Sequence, residues 1–263
     1  MTTDLDAERR GSPDRFGFEW GEYSELRPEY EVQFLKWAGT LPREYWRGRK
    51  FLDVGCGMGR NSHWPMTYGA AAAVAIDVDA RSLASAQRLL SRWPAATVRR
   101  MSAYEIEYED FFDVVFSIGV IHHLAEPERA LQQMVKAAKP GGRVLIWVYG
   151  YENNEWIVKY FNPLRHAIFA RLPVRITHAL SFGLAAVLWF ALKVGFGRLE
   201  YFHQLRRFSF RHLRSIVFDQ MLPKIANYWR HDEVQALMKG AGLSDIRIEP
   251  VNGISWSAVG TKP

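Results

Sequence analysis

Phe51 to Asn61 reads FLDVGCGMGRN, a short apolar strand, an acid within it, and then three glycines at alternate positions. Gly55, Gly57 and Gly59 permit positive φ and let a ligand approach the main chain closely. The turn opens onto a helical stretch, whose first N–H groups favour a negatively charged or polar ligand group. The same glycines would also serve a tight strand–helix turn that binds nothing. Asp53 helps to choose a ligand class. An acid before the glycines ill suits an anionic pyrophosphate and suits an amino-acid or sulfonium cofactor. With GCGMG in place of G-x-G-x-x-G, it disfavours a nicotinamide-dependent dehydrogenase.

Working outward, KFLDV (50–54), AAVAID (72–77), TVRRM (97–101), FDVVFSI (112–118) and GRVLIWVY (142–149) read as strands. ARSLASAQRLLSRW and EPERALQQMVKAAKPGG between them have helical spacing, with stop signals at Pro94 and at Pro140-Gly141-Gly142. This alternation predicts an α/β fold with a doubly wound, mostly parallel sheet and helices on both faces. Asp77 closes the second strand, where a carboxylate can accept both hydroxyls of a ribose.

Upstream, residues 1–19 read as a loose polar lead-in, and Val32, Phe34, Leu35 and Trp37 suggest a helix after Pro28. The alternation stops after Tyr149 and resumes at HDEVQALMKGAGL, where Asp232 and Gln235 are spaced as a capping box and Gly240 or Gly242 can close the helix. Two strands follow, DIRIEPV and SWSAVG. The expected organisation is a lead-in and cap helix over 1–49, a cofactor-binding core over 50–149, a helical substrate-cover insertion over 150–230, and the last helix and strands over 231–263.

The 263 residues suffice for one large domain carrying an insertion, and 48% hydrophobic against 24% charged residues argues against wholesale disorder. The single cysteine, Cys56, forbids an intramolecular disulfide and fits a reducing, cytoplasmic setting. The charged N-terminus carries no apolar run of the kind an export signal needs. The eight histidines do not fall at ligand spacing with acids or cysteines, so no metal is expected.

LDVGCGMGR, AIDVD, FDVVFSIGVIHHL and KPGGRVLIWV together resemble the class I S-adenosylmethionine (SAM)-dependent methyltransferases, in the branch acting on small molecules. The likeness runs over residues 50–149 and 231–260. It implies a Rossmann-like, seven-stranded sheet whose last strand is inserted antiparallel beside its neighbour. It also implies SAM as cofactor, S-adenosylhomocysteine as product and a small-molecule acceptor. By position, Asp53, Gly55 and Gly57 would line the methionine portion of SAM, Asp77 would hold the ribose, and Ile118 would border the cofactor at the end of the fourth strand. The family often places an acid after the third strand against the adenine; here that place falls on Ser102, with Ala103 offering its N–H. Tyr23 or Arg27 would close over the cofactor and pair with its carboxylate. His123, with His122 second, would face the acceptor as base or orienting group. Packing of both histidines against the next helix, and a non-catalytic SAM-binding accessory subunit, are the alternatives.

The insertion holds the stretch ALSFGLAAVLWFALKVGF, which runs from Ala179 to Leu192 without a charge. Residues 159–214 hold ten Lys/Arg against one acid, Glu200, although the whole chain is only +6. A run of this length falls short of a membrane span, which needs about 20 apolar residues. It is expected to be a helix buried within the cover, with an apolar acceptor tunnel or a peripheral membrane-surface contact through residues 159–214 as the second reading. The bases are interleaved with apolar residues and form no nucleic-acid motif, so no nucleic-acid partner is expected. Tyr149, Asn153, Asn154, Trp156, Asp219, Tyr228 and Trp229 flank the insertion as pocket candidates.

Overall fold

The computed structural model describes residues 11–22, 25–195 and 200–263. A seven-stranded sheet runs through it in the order β3-β2-β1-β4-β5-β7-β6. Its strands are β1 (Lys50–Val54), β2 (Ala72–Asp77), β3 (Ala96–Arg100), β4 (Phe112–Ile118), β5 (Ala138–Tyr149), β6 (Ser244–Val251) and β7 (Ser255–Thr261). The pairings from β3 to β5 are parallel, and β7 lies antiparallel between β5 and β6, as the resemblance implies. Successive side chains of β1 point to opposite faces. Leu52 and Val54 pack on one side with Leu131 and Met134 of α5 (Pro127–Ala137) and Val234 and Met238 of α9 (His231–Gly240). Phe51 packs on the other with Phe34 and Trp37 of α2 (Glu29–Ala38) and Trp64 of α3 (Arg60–Thr67). Phe51, Phe112 and Phe116 are fully buried, each contributing about 1.5–3 kcal/mol of apolar burial.

Three local expectations change. The lead-in contains a helix, α1 (Pro13–Glu22), entered through Ser12 and Pro13 at its first turn, a proline position that favours helix entry. β5 begins at Ala138, so Pro140-Gly141-Gly142 lies within an irregular, bulged strand and α5 stops before it. The capping box of α9 is built by Arg230 and Glu233, whose carboxylate accepts the Arg230 N–H at 2.6 Å. Asp232 and Gln235 do not form it.

The insertion leaves and rejoins the sheet at one place. Trp229 N–H donates to the Tyr149 carbonyl and Tyr151 N–H to the Trp229 carbonyl, at 3.1 and 3.0 Å. Between these points run two π-helical segments, Ile157–Phe161 and Arg165–Phe169, then α6 (Val174–Lys193), α7 (Glu200–Leu205) and α8 (Phe210–Met221). The expected burial of the apolar helix does not hold. α6 is twenty residues long, its most apolar window has a mean hydropathy of 1.5, and only 22% of that window is buried. It is long and apolar enough to cross a membrane, yet charged side chains of the insertion clasp its inner face. Arg214 donates to Ser181 Oγ and to the His178 carbonyl, at 3.2 and 2.8 Å, and Arg206 donates to the Leu192 carbonyl at 3.3 Å.

Candidate active site

A cavity of about 580 Å³ opens at the carboxyl edge of the sheet, the edge at which doubly wound folds place their ligands. Its floor is the loop after β1, where Gly55, Gly57 and Gly59 all have positive φ, at 76°, 53° and 83°. A Cβ on Gly55 would come within 2.5 Å of Val120, so the cradle admits only glycine there. Asp77, at the end of β2, is anchored twice: Oδ2 accepts the Gly57 N–H and Oδ1 the Asp79 N–H, both at 2.9 Å. A carboxylate offers about four lone-pair sites, so two main-chain bonds leave capacity for a diol on the cavity side. Burial raises the Asp77 pKa against the pull of those N–H groups.

The residues expected to hold the cofactor fall in three groups. Gly55, Gly57, Asp77, Ser102, Ala103 and Ile118 line the cavity together. Ser102 Oγ is already engaged with the Tyr104 N–H at 3.1 Å. Asp53 does not reach the cavity. It is fully buried behind the loop and accepts the Ser62 hydroxyl at 2.7 Å, tying β1 to α3, and burial pushes its pKa up to about 7. Arg27 does not line the cavity either, because it pairs with Glu25 at 2.9 Å. Tyr23 lies outside the described residues.

The guanidinium on the cavity wall is that of Arg60, which opens α3 and sits over the rings of Tyr30, Trp20 and Trp37 at 4.5, 5.4 and 5.6 Å. Its pKa is lowered by desolvation. Sequence reasoning missed Arg60 and Glu19. Arg60 is the last letter but one of the opening stretch, read there only as helix entry. Glu19 and Trp20 sit on α1, whose signal was the proline after Ser12.

α1 roofs the cavity through Phe16, Glu19 and Trp20. It approaches so closely that a Cβ on Gly17 would lie 2.1 Å from the Asp79 carboxyl carbon. Asp79 caps α4 (Ala80–Leu90) through the Arg81 and Ser82 N–H groups, so it cannot simply turn away. Gly17→Ala should therefore destabilise the protein by about 1–3 kcal/mol through overpacking. Urea titration reads this, and an unchanged midpoint would show that α1 does not seat against Asp79.

His122, His123 and Tyr149 meet at the carboxyl ends of β4 and β5. His123 lines the cavity, stacks near Phe16 and Tyr149 with ring centroids at 4.9 and 5.5 Å, and donates from Nδ1 to the Ile225 carbonyl at 2.8 Å. That bond leaves Nε2 as an acceptor. Burial lowers the His123 pKa to about 3, so the ring is neutral at physiological pH and a weak base. His122 is fully buried with neither ring nitrogen hydrogen-bonded, and stacks on Tyr149 at 3.9 Å. Its pKa falls well below the usual value, chiefly by burial.

A second titratable group faces the same space. Asp219 of α8 accepts the Tyr149 hydroxyl at 3.3 Å, and Gln220 Nε2 donates to the same hydroxyl oxygen at 3.0 Å. Glu19 comes in from α1 beside Asp219. Burial and the Asp219 charge hold Glu19 protonated, its pKa well above the carboxylate range. Asp219 is pushed up to about 6, chiefly by burial. Of the flanking candidates, Tyr149, Asn153, Asn154, Trp156, Asp219 and Tyr228 reach the cavity, and Trp229 does not. Apolar side chains of the insertion, among them Ile157, Phe161, Leu188, Leu205 and Phe208, form the remaining wall.

The comparisons agree with this geometry. Residues 52–146 match the methyltransferase domain family. The chain is 31% identical over 128 residues to a ubiquinone biosynthesis O-methyltransferase of Pseudomonas putida, covering 48% of this chain and 55% of that protein. It is 30% identical over 129 residues to a tRNA U34 carboxymethyltransferase of Idiomarina loihiensis, covering 47% and 40%. The chain thus spans about half, or less, of the length of the curated relatives it matches. Among solved structures, human N-acetylserotonin methyltransferase in complex with SAM superposes with a TM-score of 0.55 at 13% identity, over 95% of this chain and 56% of that one. The strand order, the glycine cradle under Asp77 and the match over residues 52–146 agree: that segment matches the methyltransferase domain, and the sheet around it has the fold of the class I methyltransferases.

Proposed function

We propose that the protein transfers the methyl group of SAM to a small, apolar, hydroxyl-bearing acceptor. The observation that carries this reading is the single cavity that joins the glycine cradle and Asp77 at one end to the apolar wall of the insertion at the other. SAM, when bound, supplies an electrophilic methyl group on a sulfonium. Asp77 would hold the ribose hydroxyls, and the Gly55 and Gly57 main chain would lie against the methionine portion. α1 and the insertion exclude water from the reacting end.

A hydroxyl acceptor must lose a proton as the methyl arrives. His123 was expected to take it, but its buried ring is too weak a base, and its Nε2 better serves to orient the acceptor hydroxyl. Asp219 suits the proton: its carboxylate lines the cavity, is fixed by Tyr149, and with a pKa of about 6 is ionised at neutral pH. Turnover should therefore be lost as pH falls through about 6. Asp219→Asn should remove that limb along with the activity while leaving S-adenosylhomocysteine binding in place. The working setting is cytoplasmic. An acceptor of this polarity partitions into lipid, which agrees with a peripheral membrane contact of residues 159–214.

The test uses methyl-labelled SAM, the purified chain and separate pools of organic-soluble, small polar and tRNA acceptors. Label should enter the organic-soluble pool. Label in tRNA or in polar metabolites alone would overturn the apolar acceptor. Absence of SAM and S-adenosylhomocysteine binding by calorimetry would overturn the methyltransferase reading.

A further inference from the structure

α6 is amphipathic the wrong way round for a helix facing water. Its buried side chains are Thr177, Ser181, Ala185 and Leu192, mostly small or polar. At 100° per residue, the opposite face carries Ile176, Leu180, Val187 and Phe190, all exposed, the last two at 71% and 66%. The preceding π-helical stretch presents a second stripe at four-residue spacing, Trp156, Tyr160, Leu164 and Ile168. Among the described residues, twelve of the fourteen exposed large apolar side chains lie between Trp156 and Val194. Apolar patches on this scale mark an interaction surface.

The charge around the stripes identifies what they meet. Residues 156–195 contain no aspartate or glutamate. Lys159, Arg171, Arg175 and Lys193 are exposed there, at the ends of the two stripes and in the turn between them. Trp156, Tyr160 and Trp189 supply amphipathic rings of the kind enriched at membrane–water boundaries. Three arginines further along are committed to the fold: Arg206 and Arg214 clasp α6, and Arg211 pairs with Glu25 at 3.3 Å. Those clasps also run along the inner face of α6, so the helix lies on a bilayer rather than across it.

We infer that the stripe from Trp156 to Ile168 and the outer face of α6 form a docking surface for an anionic bilayer, and that the acceptor enters the cavity through it. Trp156 of the first stripe, and Leu184 at the edge of the exposed face of α6, also line the cavity wall. An apolar acceptor thus passes from lipid to cavity between side chains it already favours, without crossing water. The entry step rests on the methyl-transfer reading; the docking does not.

Flotation of the full chain with phosphatidylcholine vesicles, with and without phosphatidylglycerol, tests both. The wild type should float with the anionic vesicles at low salt, about tenfold or more better than with zwitterionic ones, and less at high salt. Val187→Asp with Phe190→Asp should abolish flotation while circular dichroism and S-adenosylhomocysteine affinity stay unchanged, since both side chains face solvent. Arg171→Gln with Arg175→Gln should weaken only the preference for anionic lipid. A wild type that never floats, or an aspartate pair that floats as well as it, overturns the inference. So does a wild-type dimer in solution that the aspartate pair converts to monomer, because a second copy would then cover the face. Flotation without S-adenosylhomocysteine binding would keep the docking and sink the methyl-transfer reading.

Discussion

Asp77→Ala is expected to weaken S-adenosylhomocysteine binding by about a hundredfold or more, measured by titration calorimetry. Two main-chain N–H groups hold the carboxylate in place at the end of β2, so it meets a ligand with no rotamer entropy left to lose. Each hydroxyl bond to a buried charged acceptor is worth about 1.5–3 kcal/mol, and a ribose offers two. Burial raises the Asp77 pKa, so the carboxylate is under-solvated and gains from a diol that water does not fully replace. Asp77→Asn keeps the volume and one acceptor oxygen but sets an NH2 against one of the two main-chain N–H donors, so it should weaken binding as well. An affinity unchanged in Asp77→Ala would mean that the cofactor does not bind with its ribose over β2. A cooperative melt for both variants would show that the change is in the site and not in the sheet.

The sheet was legible because each central strand is a short apolar run ended by glycine, proline or aspartate. β1, β2 and β4 fall on the ranges read from the sequence. β5 was misjudged at its start, because Pro140-Gly141-Gly142 has the composition of a stop; in the fold Ala138 already pairs with Phe112 before a bulge. The cofactor end of the site was legible for a similar reason, since the cradle and Asp77 are fixed by local turn chemistry. The other end was legible only in part. Asp219 was one of seven flanking candidates, but Glu19 and Arg60 come from α1 and α3, and no spacing along the chain announces that they converge on it. α6 shows the limit most plainly. Its composition suggested burial, but composition does not say which face turns inward, and the fold turns Thr177, Ser181 and Ala185 in.

Arg15→Met should cost roughly 3–5 kcal/mol of stability, measured by denaturant titration. Arg15 is buried on α1, and its guanidinium spreads over three main-chain carbonyls of the insertion. Nε donates to Leu222 at 2.8 Å, Nη1 to Leu172 at 2.8 Å, and Nη2 to Phe169 at 2.9 Å and to Thr177 Oγ1 at 3.3 Å. Leu222 caps the C-terminal end of α8, and Phe169 and Leu172 close the π-helical stretch. Carbonyls at such ends carry the negative pole of the helix and favour a cation. Methionine fills the space of the stem but leaves those carbonyls buried without a donor. Arg15→Lys keeps the charge, yet one ammonium cannot reach all the acceptors of the planar fork, so it should fall between wild type and Arg15→Met. The loss should be local first. Leu172 sits where the two apolar stripes meet, so the variant should expose the turn at 169–175 to protease before the sheet unfolds. A change below about 0.5 kcal/mol, within the range of ordinary surface substitutions, would mean that α1 does not hold the insertion over the cavity.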